Sequence, residues 1–464
     1  MTTSDDTLRG GQIKARFAPA KDNVVSIEEA RVNVAAHDEK DEVENLIAEF
    51  NARYFVVNES GRAMIYEPTF DALMKRKRFN RITFEDFKKL YLNRRVRVLS
   101  KSEGSSKQKA AADVWLRHHA RKQYLGGVTF DPSGKHAKPD MLNLWQGFAV
   151  KPRAGSWAKL RSHVFENICA SNQGHFDYLM GWLARLVQRP AEQGEIAVIL
   201  KGGEGTGKGT LAKALARLFG QHAMTVASGK HLTGSFNGHL RDAVFLFADE
   251  AFFAGDRAHV GVLKSLITEP VLSVEEKFKN AIQAPNFIHL MLASNEQWVV
   301  PASLDARRFF VLEVSNKRAN DHQYFEGIWS ELEAGGFEAM LHELLAYDLS
   351  GFNHRKAPET DGLREQRKLS LDTPLAWWQD VLYRGFVFKS QLGLEDHFEQ
   401  WREDVSTKLT FDSYEAFAKS RRERRLLIRE ALGKFLAEFG VKRTRPRNVV
   451  TGEHMIDFRD DYGS

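Results

Sequence analysis

Apolar residues along this chain recur at two periods, and the changes of period outline its elements. Residues 1–45 are polar and charged, which predicts a flexible arm with one helix near Asp41–Phe50. Tyr54–Val57 and Ala63–Tyr66 flank Glu59-Ser60-Gly61 and predict a small hairpin. Phe70–Arg78 and Thr83–Leu90 carry a helix-like period, and Lys101–Lys109 reads as a polar linker. Leu160, Val164 and Ile168 share one helical face; Phe176, Leu179, Met180, Leu183 and Val187 share another, which Pro190 stops. Ile196–Leu200 is continuously apolar, as a strand buried on both faces of a parallel sheet should be, and Ala243–Ala248 and Phe287–Ala293, the last interrupted at His289, predict two further strands. Tyr324–Leu332 and Phe337–Leu345 read as helices. Trp377-Trp378 and Val381–Phe388 open a smaller unit. Within it Tyr414–Lys419, Leu426–Phe439 and Val441 to Ile456 read as helix, helix and short hairpin, with Leu427, Leu432, Phe435, Leu436 and Phe439 as core.

The expected fold class is α/β, and the expected units are an arm (1–50), a small accessory α/β domain (51–152), a helical lead-in (153–192), a nucleotide-binding core (193–320), a helical extension (321–370) and a basic C-terminal domain (371–464). At 464 residues the chain is long enough for two or three domains. No apolar run approaches the roughly 20 residues of a membrane span, so no membrane partner is expected. Met1–Gly10 lacks the apolar core of a signal peptide. The single cysteine, Cys169, excludes an internal disulfide and a Cys-based zinc cluster and fits a reducing cytoplasm. His163, Cys169 and His175 do not have the spacing of a metal site.

Charge matters once it is located. The net charge is +6, yet Lys419–Arg447 alone carries +8 and leaves the remainder at −2. A basic stripe at one end points to a polyanion, with Arg421, Arg422, Arg424, Arg425 and Arg429 as candidates for nucleic-acid phosphates.

The strongest chemical signal follows the first apolar run. Gly202-Gly203-Glu204-Gly205-Thr206-Gly207-Lys208-Gly209-Thr210 lies between a strand and a helix with Leu211, Leu215 and Leu218 on one face. Glycines let backbone N–H groups curl around phosphate oxygens, and the helix N-terminus adds partial positive charge. Lys208 would reach the β- and γ-phosphates of ATP. The usual hydroxyl directly after the lysine is replaced by Gly209, so Thr210 is the expected Mg²⁺ ligand. Asp249 closes the second apolar run and would hold Mg²⁺ through water, while Glu250 could polarise the attacking water. Asn295 ends the third run, suited to positioning that water or sensing the γ-phosphate. Arg307 and Arg308 precede another apolar strand, and an arginine near a γ-phosphate stabilises transition-state charge, often from a neighbouring subunit.

Taken together, these motifs resemble a superfamily 3 helicase, a branch of the AAA+ ATPases, and most of all the helicase module of phage and plasmid primase–helicase proteins, akin to the poxvirus type. The likeness runs from about Trp145 to Val314 and is strong over Gly202–Phe310. It implies an AAA+-like core, a winged-helix-like C-terminal domain, ATP and Mg²⁺ as cofactors, and DNA as partner. It also implies a homo-oligomeric, hexameric ring with ATP between subunits, in the cytoplasm of a bacterial cell as a phage or prophage product. The family's pore hairpin maps onto Ser273–Gln283, where Lys277 and Lys279 would meet backbone phosphates and Phe278 a base or sugar, with Lys264 assisting. The catalytic arginine maps onto Arg307 or Arg308. No carboxylate constellation in the first 150 residues reads as a priming site, so a separate primase or polymerase is the implied partner. The alternatives are an ATP-switched DNA-binding initiator or loader, or a nucleotide kinase, since Gly-Lys-Gly-Thr also occurs in adenylate kinases.

Overall fold

The structure, a computed structural model, describes residues 41–99, 106–227, 237–250, 257–275, 281–300, 302, 307–385, 387, 404–421, 423, 425–444 and 455–457. It forms two compact units. The first takes its described residues from 41–69, 79–128 and 138–142, and the second from 70–78, 129–137 and 143 onward.

In the first unit a helix, α1 (41–53), is followed by β1 (Phe55–Glu59), β2 (Arg62–Asp71), β3 (Arg76–Ile82), α2 (Phe84–Leu90), β4 (Arg95–Leu99), β5 (Ser106–Ala110), α3 (Ala111–Arg117) and β6 (Gln123–Tyr124). The main sheet runs β3-β2-β1-β6. Phe50, Phe87 and Trp115 from the three helices are buried together with Tyr54, Val56 and Ile65. The β1–β2 turn has positive φ at both Ser60 (54°) and Gly61 (84°), as a two-residue hairpin connection demands.

Two sequence expectations fail in this part of the chain. Phe70–Arg78 is not helical but the end of β2, a turn and the start of β3. Asp71 decides this: its Oδ1 accepts the Leu73 and Met74 N–H groups at 3.1 and 3.0 Å, an alternative to helix that short carboxylates offer. Phe70, Leu73 and Met74 stay exposed, so the helix-like stripe has nothing to cover it. Likewise Ser106–Ala110, inside the expected linker, is a strand paired antiparallel with β4. Its lysines face water, so composition alone concealed it.

The short strands β7 (Gly127–Thr129) and β8 (Met141–Asn143) each have residues in both units; the second unit continues with α4 (Ala158–His163), a π-turn at Val164–Ile168, and α5 (Gln173–Gln188). Its centre is β9 (Ala197–Lys201), α6 (Lys208–Phe219), β10 (Ala223–Val226), β11 (Phe245–Asp249), α7 (Arg257–Thr268), β12 (Val271–Val274), β13 (Ile282–Pro285), β14 (His289–Ser294) and β15 (Phe309–Glu313). β10-β11-β14-β9-β15 form one five-stranded sheet, parallel throughout. The three apolar runs are therefore neighbouring strands, and β14, last of the three in the chain, lies between the other two. Both faces are covered: Leu246, Leu290 and Ile199 pack with Leu263 and Leu266 of α7, and Phe245 stacks on Phe219 of α6.

Helices α8 (His322–Glu331), α9 (Phe337–Ala346) and α10 (Asp361–Ser370) follow, and α10 packs along β15. The chain then runs through α11 (Thr373–Arg384), β16 (Asp404–Ser406), α12 (Thr407–Ser420), α13 (Arg429–Glu438), β17 (Lys442–Thr444) and β18 (Met455–Asp457). The three strands pair antiparallel in the order β16-β18-β17. Trp377, Val381, Tyr414, Leu432 and Leu436 form the core of this module. Helix α13 begins at Arg429 rather than Leu426, because Leu427 N–H donates to the Tyr414 hydroxyl at 3.2 Å and Ile428 is extended. Phe439, expected in the core, is 47% exposed beyond the helix end.

Candidate functional site

The C-terminal ends of β9, β11 and β14 lie at one edge of the parallel sheet, where such folds place their ligands. Buried from Ala197 to Leu200, β9 releases the chain into the glycine loop, which turns into α6 at Lys208. Gly205 (φ 68°) and Gly207 (φ 85°) adopt left-handed backbone. A Cβ at Gly207 would also lie 2.4 Å from Phe325 and 2.7 Å from His163, so glycine is required there for both conformation and space. Among the described residues, Thr210 is the one residue from Glu204 to Thr210 whose loop or first-turn amide donates to a backbone carbonyl, that of Gly207 at 3.0 Å. Among the described residues the N–H groups from Glu204 to Gly209 have no backbone acceptor, which leaves them for another one.

Lys208 folds back across the loop, its ammonium donating to the Gly202 and Gly203 carbonyls at 2.8 and 2.6 Å. Thr206 Oγ1 donates to the Gly203 carbonyl at 2.9 Å and tightens the same turn. Burial pulls the Lys208 ammonium below the usual lysine range, while Glu250, Asp249 and Glu204 oppose the shift. A buried cation faced by three carboxylates is thus the electrostatic centre of the site. Thr210, on the first turn of α6, is also buried.

Strand β14 joins both sides of this centre. Its Ser294 carbonyl accepts Gly202 N–H at 3.1 Å, and its Ala293 carbonyl accepts Glu250 N–H at 2.9 Å. Asp249 pairs in register with Ala293 and is half-buried, whereas Glu250 is exposed with φ 53°. Just past the strand, Asn295 Nδ2 stands 3.5 Å from Glu204 Oε1, at the outer limit of a hydrogen bond. Lys208, Thr210, Asp249, Glu250 and Asn295 are therefore brought to one sheet edge, as their positions in the sequence led one to expect.

Arg307 and Arg308 are not with them. Both are exposed and precede β15, whose Phe309 pairs with Ala197 at the start of β9. They stand at the opposite edge, about 17 Å away for a five-residue strand. Val299, Val300 and Ala302, between Asn295 and these arginines, are held by α10. Gln366 Oε1 accepts Val299 and Val300 N–H at 2.7 and 3.2 Å, and Ser370 Oγ accepts Ala302 N–H at 2.9 Å.

Strands β12 and β13 pair antiparallel as the expected hairpin, from Val271↔Pro285 to Val274↔Ile282. Lys277, Phe278 and Lys279 lie outside the described residues, and Lys264 is exposed on α7. In the C-terminal module Arg421 and Arg425 fall between α12 and α13, and Arg429 opens α13. Arg425 is exposed there, and Arg422 and Arg424 lie outside the described residues. Arg421 is already engaged, donating from Nη2 to the Leu369 and Leu371 carbonyls at 3.3 Å each.

Sequence reasoning missed the residues that brace the loop from a distance. His163, set aside as an unpromising metal ligand, is fully buried against Gly207. Asn320, itself left-handed at φ 59°, donates its N–H to the Gly205 carbonyl at 3.1 Å. Positive φ at an asparagine leaves no mark in a pattern of apolar positions, so no local signal identified it.

Residues 200–308 match a protein family described as a family of unknown function (DUF5906). Over 260 residues the chain is 25% identical to the DNA Primase-polymerase of Nitratiruptor phage NrS-1, a match covering 52% of this chain and 36% of that protein. The chain thus spans little more than a third of that relative's length. A solved apo structure of the NrS-1 C terminal region superimposes with a TM-score of 0.57 at 16% identity, covering 84% of this chain and 95% of that one. A second, the A form apo structure, gives 0.61 at 15% identity, covering 89% and 98%. The chain is thus similar to a phage DNA primase-polymerase and shares the fold of the NrS-1 C terminal region.

Proposed function

We propose that this chain is an ATP-driven DNA translocase or helicase of a phage or mobile-element replication system, built on an AAA+-like core of the superfamily 3 type. One observation carries the reading: the glycine loop with Lys208, the Asp249-Glu250 pair and Asn295 meet at one edge of adjacent parallel strands. The site fits ATP and Mg²⁺ by its own chemistry. The loop amides from Glu204 to Gly209 find no backbone acceptor among the described residues, Lys208 is buried, and two loop glycines cannot be replaced without strain. Mg²⁺ takes one or two protein oxygens and completes its shell with phosphate and water, which suits Thr210 and Asp249. Bound there, Mg²⁺ would neutralise charge on the β- and γ-phosphates.

The chain's own residues divide the remaining work. Lys208 and the loop amides would hold the phosphates, Glu250 would take the proton of the attacking water, and Asn295 would orient that water. The insertion of β14 between β9 and β11 separates acid from loop by two strand spacings, about 9.6 Å. That leaves room for a water between them and puts Asn295 in the gap. Arg307 and Arg308 stand at the sheet edge opposite their own loop, which favours action on a neighbour's nucleotide in a ring.

DNA would be met by the β12–β13 hairpin and by the C-terminal module. Among the described residues its order of helix, strand, helix, helix, strand, strand supports a winged-helix reading. The similarity to a phage primase-polymerase supports replication as the setting, with a primase or polymerase as working partner. The deciding experiment measures phosphate release from Mg-ATP with and without single-stranded DNA. Turnover that rises with DNA is expected; turnover absent under both conditions would remove the ATPase reading, and DNA-independent turnover would remove the translocase.

A further inference from the structure

His163 lies on the last turn of α4, and the π-turn that follows re-aims the chain so that its ring is buried against the glycine loop. Its Nε2 is 3.3 Å from the Gly207 carbonyl, which can only accept, so Nε2 carries the proton. Its Nδ1 is 3.4 Å from the Tyr324 hydroxyl, which therefore donates to it. Tyr324 Oη in turn accepts from Asn167 Nδ2 at 3.4 Å, and the Asn167 carbonyl accepts Ser315 N–H at 2.8 Å just past β15. Every donor in this relay meets an acceptor, from the π-turn through α8 to the loop. Phe325 closes the other side, edge-on to the imidazole at 5.4 Å. Burial keeps the ring neutral, with its pKa pushed down to about 4, as the tautomer requires.

The Gly207 carbonyl belongs to the peptide that carries the Lys208 N–H, and in a trans peptide the two point in opposite directions. That oxygen also accepts Thr210 N–H at 3.0 Å, and the two donors together hold it on one side and leave the Lys208 amide on the opposite side of the peptide. We infer that His163 is a positioning residue for the nucleotide, holding the Gly207–Lys208 peptide so that its N–H faces the phosphates. This rests on the ATP reading above and adds to it a contact supplied from the helical lead-in.

The test compares two amides of different reach. In His163→Gln the side-chain NH₂ can stand where Nε2 stood; in His163→Asn it can stand only where Nδ1 stood. Affinity for a fluorescent ADP, KM for ATP, kcat and melting temperature are measured on the full chain. His163→Asn should weaken ADP binding and raise KM about tenfold, the loss of one buried hydrogen bond, with kcat within about threefold. His163→Gln should recover most of that affinity. Tyr324→Phe, which removes the hydroxyl that donates to His163 Nδ1, should weaken ADP binding about threefold and lower the melting temperature by a few degrees, because Asn167 Nδ2 also loses its acceptor. Equal affinity in the Asn and Gln variants, whether both intact or both weak, overturns the assignment, as does a Tyr324→Phe protein that binds ADP like wild type. Failure of the ATP reading would show separately, as wild-type protein that neither binds ADP nor loses affinity on Lys208→Ala.

Discussion

The Ala293 carbonyl accepts the Glu250 N–H at 2.9 Å, and this bond holds Glu250 at φ 53°, in backbone that non-glycine residues avoid. A left-handed residue directly after a buried strand turns the chain sharply, so Asp249 stays with the sheet while Glu250 projects to the exposed side of its edge. Such a conformation costs roughly 1–2 kcal/mol and persists where neighbours over-determine it. Glu250→Gly should therefore be about 1 kcal/mol more stable than Glu250→Ala, while both lose phosphate release by at least about a hundredfold. Thermal melts and turnover of the two variants check this. Retained turnover in either would remove Glu250 from the chemistry.

Lys208→Ala should abolish ATP turnover and leave a folded protein. Removing a partly desolvated cation costs the Gly202 and Gly203 carbonyls a donor but opens no apolar core. Thr210→Ala should shift the Mg²⁺ requirement upward more than Gly209→Ser does. Titrating Mg²⁺ against phosphate release distinguishes them, and the reverse order would place the metal hydroxyl elsewhere.

Because Arg307 and Arg308 lie a full strand length from their own glycine loop, they can meet a γ-phosphate only across a subunit boundary. A Lys208→Ala protein and an Arg307→Ala, Arg308→Ala protein should each be inactive. Mixed, they should regain part of the turnover, since some interfaces then pair an intact loop with intact arginines. An arginine of this kind is worth roughly 10³–10⁵ in rate, so the recovery is measurable. Mixed oligomers that stay silent would count against the arginines acting in trans.

In the C-terminal module Arg421 and Arg425 should behave differently. Arg421 caps the end of α10 through two carbonyls, a favourable place for a cation, and Arg421→Ala should lower the melting temperature more than DNA affinity. Arg425→Ala should weaken single-stranded DNA binding evenly across sequences and flatten the log–log salt slope by about 0.7. Binding isotherms at several salt concentrations would read both.

Three buried histidines set the sign of the pH dependence. Burial pushes His163 and His222 down to about 4 and His289 to about 3, below the roughly 6.5 of an unfolded chain. The folded state thus favours their neutral forms; the stability they contribute is complete above about pH 6.5 and is lost as pH falls toward 4. Glu195 and Glu365, held below the usual carboxylate range by hydrogen bonds from Arg355 and Lys201, carry the decline further. Melting temperature should fall steadily from pH 7 to pH 4.5. A flat profile would mean that these rings gain protons in the fold as easily as in the unfolded chain.

The strand, glycine loop and helix from Ile196 to Phe219 were legible in the sequence, as were the strands ending at Asp249 and Asn295. Buried parallel strands leave unbroken apolar runs, and residues at their ends need only local spacing to be noticed. Tertiary structure alone decided that β14 lies between β9 and β11, which is what brings Asn295 beside the loop and joins Gly202 to Glu250 through consecutive carbonyls. It decided that Phe70–Arg78 forms a hairpin end, where an aspartate competing for two N–H groups outweighs a helical period with nothing to bury against. It also put His163 on Gly207, residues 44 positions apart, and Gln366 on the loop after Asn295. Sequence patterns record which face of an element is apolar, because burial acts on every residue of that face. They do not record which distant polar atom completes a hydrogen bond, because that depends on how whole elements pack.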